Sequence, residues 1–154
     1  MKRKITMMIL ALCLAFAVRG FAQALNQSFG RTAMVVKGAM ADEVVRQVNA
    51  ERSKRGLRTL RVSAELSRAA RVRANEITRK FSHTRPDGSA WRTVSSAAYG
   101  ENIAMGQRTA DKVMAAWMTS SGHRANILRP SFGSIGVCAV VSGGVTYWVQ
   151  LFGK

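Results

Sequence analysis

Two runs rich in branched and aromatic residues close the chain, Ile135 to Val141 and Val145 to Phe152, with only Ser142-Gly143-Gly144 between them. That arrangement predicts two antiparallel strands joined by a glycine-containing turn. The stretches before it repeat with helical spacing. Met40, Val44, Val45 and Val48 fall on one stripe, with Asp42 and Glu43 in the first turn, Arg52, Lys54 and Arg55 in the last, and Gly56 placed to cap the end. Ser63 can cap a second helix running to about Lys80, with Leu66, Ala69, Ala70, Ala74 and Ile77 as its apolar stripe. The alanines permit close approach to a neighbour, and Arg68, Arg71, Arg73 and Arg79 are read as the face turned to water. Thr109 caps a third helix, buried through Ala110, Val113, Met114, Trp117 and Met118. Gly122 is expected to end it, with His123 to Leu128 as one more helical turn before Pro130. Three helices and a hairpin imply an α+β fold in which helices cover a small antiparallel sheet.

The connections are shorter on information. Leu57 to Val62 reads as a connector anchored by Leu57, Leu60 and Val62, and Arg85-Pro86-Asp87-Gly88 as a tight turn. Ser89 to Tyr99 reads as a loop held by Trp91 and Tyr99. At the other end of the chain, Lys2-Arg3-Lys4 precedes the apolar run Ile5 to Val18, and Ala22-Gln23-Ala24 offers a small-x-small cleavage site. Together these predict a secretory leader over 1–24, with an arm over 25–38 and a single domain over 39–154. The apolar run is short for a membrane span, so no transmembrane segment is expected in the mature chain. Leu12-Cys13 is a poor lipidation box, because leucine is bulky for the position before a lipidated cysteine. Removing the leader leaves Cys138 as the one cysteine, so stability is expected from packing rather than disulfides. Cys138 itself is read as a small buried hydrophobe.

Charge narrows the function classes. The chain carries 24 basic and 8 acidic residues; the leader holds four of the bases and none of the acids, so the mature net charge is +12. Such a surface attracts polyanions. No nucleic-acid motif and no platform of interleaved aromatic and basic residues accompanies it, and export argues the same way, so nucleic acid is not expected as partner. An anionic envelope polymer or lipid is.

Three residues stand out as a candidate site. Glu101 opens the Gly100-Glu101-Asn102-Ile103-Ala104 segment, His123 sits past the third helix, and His83, the only other histidine, lies beside the Pro-Asp-Gly turn. Two imidazoles and a carboxylate can bind a divalent metal such as zinc with positions open for water. Alternatively Glu101 can act as general base with a histidine as partner acid. A third reading makes the three a polar network that ties loops to the sheet. Asn102, Ser120 and Arg124 adjoin them as cleft-lining candidates.

Five segments taken in order resemble one family. They are Val48-Asn49-Ala50-Glu51-Arg52, Phe81-Ser82-His83, Gly100 to Ala104, Trp117 to Leu128, and Tyr147 to Gly153. In that order they are similar to the CAP superfamily (SCP, or pathogenesis-related-1-like), specifically its short bacterial secreted branch. The resemblance implies a three-layer α-β-α sandwich around a central antiparallel sheet. It also implies a cleft in which two histidines and two acidic residues hold a divalent ion in some members. His83, Glu101 and His123 match three of those four positions. The fourth, a glutamate shortly after the helix tryptophan, has no counterpart, since Met118-Thr119-Ser120-Ser121 offers only hydroxyls. The family has no single chemistry: some relatives bind sterols or other lipids, and protease activity has been proposed for a few. The expectation is therefore a secreted binding module for lipid or anionic envelope material, with a metal-assisted hydrolase and a purely structural cleft as the alternatives.

Overall fold

The computed structural model describes residues 38–154 together with Arg19, Gln23, Ala24, Gln27 and Ser28. The leader and the arm read from the sequence lie almost entirely outside the described residues. The chain divides into two units, Met1–Val36 and Lys37–Lys154, and the elements that follow belong to the second.

Helix α1 covers residues 38–53 and ends as its sequence demands. Gly56 takes φ +69°, its N–H donates to the Ser53 carbonyl at 3.0 Å, and the Leu57 N–H reaches back to the Arg52 carbonyl at 3.0 Å. This paired closure satisfies two of the carbonyls that a helix end leaves without partners. A two-residue strand, β1 (Arg61–Val62), follows, and then α2 (Ala64–Ile77), whose Ser63 cap accepts from the Leu66 N–H. The helix stops three residues short of Lys80, in a turn through Thr78 and Arg79. The expected turn at Arg85-Pro86-Asp87-Gly88 is present, with the Gly88 N–H on the Arg85 carbonyl at 2.9 Å. A short 3-10 turn over Trp91–Val94 leads to strand β2 (Gly100–Met105). Trp91 packs against the core as expected. Tyr99 does not: its side chain is exposed, and it is the backbone N–H that anchors it, on the Phe152 carbonyl at 2.7 Å.

Helix α3 (Ala110–Thr119) carries the Thr109 cap and buries Ala110, Val113, Met114 and Trp117. Ser120, in extended conformation, ends it, and α4 (Ser121–Ile127) begins at once. The sequence reading placed that break at Gly122, which instead lies in the first turn of α4. Strands β3 (Ser134–Ser142) and β4 (Val145–Gly153) form the hairpin, and Gly143 and Gly144 both take positive φ, as the two-residue turn matched to strand twist requires.

The sheet order is β1-β3-β4-β2. Both long pairings are antiparallel, and only the short β1 runs parallel to β3. Alternation along each strand sorts the core into two layers. Ala104, Ile135, Val137, Ala139, Trp148 and Phe152 face α1, α3 and α4. Ile103, Val149 and Leu151 face α2. This is the α-β-α sandwich. The alanine stripe lets α2 lie almost on β3: a Cβ added at Gly136 would come within 2.2 Å of the Leu66 backbone.

Candidate functional site

The site gathers at β2, an edge strand paired only with β4. Because successive side chains point to opposite faces, Glu101 faces α2 and Asn102 faces α3 and α4. Both are buried.

On the α2 side, Glu101 meets Arg73. The sequence reading had sent Arg73 into water with the other arginines of α2. Its side chain is fully buried, because position 73 falls seven residues after Leu66 on the same stripe as Ala70 and Ile77. Its Nε donates to Glu101 Oε2 at 2.8 Å and its Nη2 to Glu101 Oε1 at 3.3 Å. The remaining donors reach Glu76 Oε2 and the Ser82 carbonyl, both at 2.7 Å. Arg85 closes the far side of Glu76, Nη2 to Oε1 at 2.7 Å. Two arginines and two glutamates thus balance in charge. Burial pulls the Arg73 pKa down, but the two carboxylates outweigh it and hold the guanidinium above its ordinary range. Burial likewise pushes Glu76 up, and the bonds and charges of Arg85 and Arg73 bring it below the usual carboxylate range.

His83 completes this side. Its Nδ1 lies 2.8 Å from Glu101 Oε1, and half of the ring is open to solvent. With the proton on Nδ1, the carboxylate fixes the tautomer and leaves Nε2 as an acceptor facing outward.

Across the strand, Asn102 Nδ2 donates to the His123 carbonyl at 3.1 Å and to Gln150 Oε1 at 3.0 Å. Asn126 Nδ2 donates to Asn102 Oδ1 at 2.9 Å and to the Glu101 carbonyl at 3.2 Å. These bonds seat α4 against the edge of β2 and place His123 in the first turn of α4, half-buried. Burial holds the His123 imidazole below its usual range, and the nearby His83 adds to the effect. The structure thus joins His83 and Glu101 directly and brings His123 within electrostatic reach of His83.

Glu101 does not fit as a ligand of the divalent metal that the resemblance implies. Both of its carboxylate oxygens already accept from a guanidinium, and the bond to Nδ1 leaves His83 only Nε2 to offer an ion. Among the described residues, no group of three or more His, Cys, Asp or Glu side chains stands close enough to share an ion. An open hollow of about 550 Å³ lies between α1 and α3, bounded by Gln47, Glu51, Asp111, Met114, Met118 and Arg124. Arg124 is on its wall; Asn102, Ser120, His83, Glu101 and His123 are not. Asn102 is instead part of the buried network, and Ser120 is the break between α3 and α4.

Arg52, expected in the last helical turn beside Lys54 and Arg55, is also fully buried. It donates to the carbonyls of Arg58, Ile127, Arg129 and Phe132 at 2.7 to 3.3 Å. Asn49 pairs both ways with the Leu60 backbone, at 3.0 and 2.7 Å. The Val48-to-Arg52 motif therefore fastens the connector that precedes β1 to the one that joins α4 to β3. The signal for both arginines was positional: Arg52 continues the Val44–Val48 stripe, as Arg73 continues that of α2.

Comparison with known proteins adds a family. The cysteine-rich secretory protein family, CAP, matches residues 45–152. An uncharacterized protein of Bacillus subtilis, YkwD, is 43% identical over 122 residues, which cover 74% of this chain and 47% of that protein. An extracellular protein of Bacillus anthracis containing a SCP domain superposes with TM-score 0.70 at 22% identity, over 77% of this chain and 41% of that one. A cysteine-rich secretory protein of Staphylococcus aureus gives TM-score 0.60 at 19% identity, over 75% and 39%. The chain therefore spans about half the length of the curated relative it matches. At these identities the two structures establish the fold.

Proposed function

Because this chain belongs to the CAP, or cysteine-rich secretory protein, family, and because its central carboxylate is already neutralised, we propose that it is an exported binding module for anionic envelope material. The basic surface supplies the contact. The observation that carries this reading is the ion pair between Arg73 and Glu101, with Nε 2.8 Å from Oε2 and no exposure of either side chain. Both oxygens of that carboxylate are already engaged, by Arg73 and by His83, and the side chain has no open face. The Arg73–Glu101–His83 and Asn102–Asn126–Gln150 networks then serve the architecture, tying α2, the 81–85 loop and α4 to one strand. The mature charge of +12 supports an anionic partner. The secretory leader read from the sequence supports export, and the described residues contain no helix long and apolar enough to cross a membrane.

Co-sedimentation of the mature chain with cell-envelope preparations and with anionic phospholipid vesicles tests the proposal. Binding that weakens steeply as salt rises supports it. Absent or salt-independent binding to all of them overturns it. Hydrolysis at the same residues is the second reading, favoured by the His83–Glu101 hydrogen bond, since a carboxylate behind Nδ1 leaves Nε2 as a base facing solvent. It requires turnover that His83→Ala removes.

A further inference from the structure

Resting on that reading, we infer that the contact surface is the outer face of α2, and that its partner is a linear phosphate-bearing polymer lying along the helix. Arg68, Arg71 and Arg79 are all exposed. None of the three side chains forms a hydrogen bond or ion pair among the described residues, unlike Arg46, Arg55, Arg73 and Arg85. At 100° per residue Arg68 and Arg71 fall about 60° apart around the helix, and Arg79 follows in the turn that closes it after Ile77. The one acidic residue between them, Glu76, is turned inward and held by Arg73 and Arg85. Glu65, at the start of the helix, already accepts from the Ser95 hydroxyl at 2.6 Å. The three are therefore guanidinium groups without an ion-pair partner among the described residues, two on the helix and one in its closing turn.

The chemistry of the row selects the partner. Guanidinium forks bind phosphate through two parallel N–H···O bonds, which an ammonium cannot do. A row of them suits an anion that repeats along a line. A bilayer fits less well. The apolar side of α2 is committed to the sheet, with Leu66, Ala70 and Ile77 at 0–1% exposure. The outer face offers only Val72 among the arginines, and surface-bound helices insert a face of large apolar side chains. The exposed Phe81 lies past the helix end, a single ring outside the stripe.

The test uses the mature chain, linear polyphosphate as probe, and phosphatidylglycerol vesicles as the competing surface. Two triple variants remove equal charge: R68Q/R71Q/R79Q from the stripe, and R108Q/K112Q/K154Q from elsewhere. All six positions are exposed, and far-ultraviolet circular dichroism checks that both variants fold. The stripe variant should lose roughly tenfold in polyphosphate affinity at moderate salt, and the slope of log K against log salt should fall by about 2, as expected for three lost phosphate contacts. The control variant should change much less in both. Equal losses in the two triples overturn the assignment to α2 while leaving a generally basic binding surface. Binding to vesicles but not to polyphosphate overturns the polymer and leaves an anionic lipid as partner. Failure of the unmodified chain to bind either probe in a salt-dependent way overturns both this inference and the function it rests on.

Discussion

Arg73 Nε stands 2.8 Å from Glu101 Oε2, and neither side chain is exposed to solvent. This pair joins the middle of α2 to an edge strand that is distant in sequence. Edge strands invite pairing with other chains, and this one is covered, with Asn126 Nδ2 on the Glu101 carbonyl and Trp117 Nε1 on the Ile103 carbonyl.

Breaking the pair from one side should be severe. Arg73→Ala leaves Glu101 buried with only His83 beside it and Glu76 with only Arg85, a change that costs about 3–5 kcal/mol in comparable settings. Replacing both members with apolar residues of similar volume should cost less than the single change. Urea unfolding of the two single variants and the double variant measures this coupling.

Arg52 makes a parallel case without a carboxylate. Its guanidinium satisfies carbonyls at the end of α4 and in the turn that follows it. Arg52→Met should lower stability by roughly 3 kcal/mol, from several buried carbonyls left without donors. Hydrogen exchange should show the opening concentrated at residues 127–133.

The two sides of β2 give stability opposite proximate causes but the same sign with pH. Glu76 has a folded pKa depressed below its unfolded value, so its contribution is present above pH ~4.5 and is lost as pH falls through the folded pKa. His123 is also depressed, by burial and then by His83. The unfolded chain therefore takes up a proton at about pH 6.5 before the folded chain does, and stability declines from there downward. Denaturant midpoints measured between pH 8 and 5 should fall for the unmodified chain and fall less for His123→Gln.

Close packing of α2 on β3 gives a fourth test. Gly136→Ala places a methyl group against the Leu66 and Ser67 backbone, at 2.2 to 2.5 Å, where no side chain can swing aside. The helix must lift from the sheet. Overpacking of this kind costs at least about 1–3 kcal/mol, and the melting temperature should drop accordingly. Gly122→Ala, with open space around the added group, should be nearly silent.

The parts of the fold that were legible in the sequence are those with strong local signals. The Ser63 and Thr109 caps, the Gly56 closure, the Pro-Asp-Gly turn and the Gly143-Gly144 hairpin all depend on neighbours in the chain. Strand β2 was not read as a strand, because Gly100-Glu101-Asn102-Ile103 alternates no apolar face. Its two polar side chains are buried on opposite sides, each satisfied by partners that only folding supplies. The same cause hid Arg73 and Arg52, whose helical spacing marked them as buried while their charge argued otherwise. Gly122 misled in the other direction: a glycine near a helix end suggests a cap, but the chain had already turned at Ser120. Of the site, the meeting of His83 with Glu101 followed from the family resemblance. The guanidinium that neutralises Glu101 had no precedent in that reading.

The central claim is that Glu101 and His83 hold the fold while a basic surface binds. It is tested most directly by comparing the unmodified mature chain with His83→Ala for binding to a cell-envelope preparation across a salt series, with hydrolysis of the same material followed in parallel. The account predicts superimposable binding curves that fall steeply with salt, and no turnover that depends on His83. Binding indifferent to salt, or hydrolysis abolished by the substitution, would contradict it.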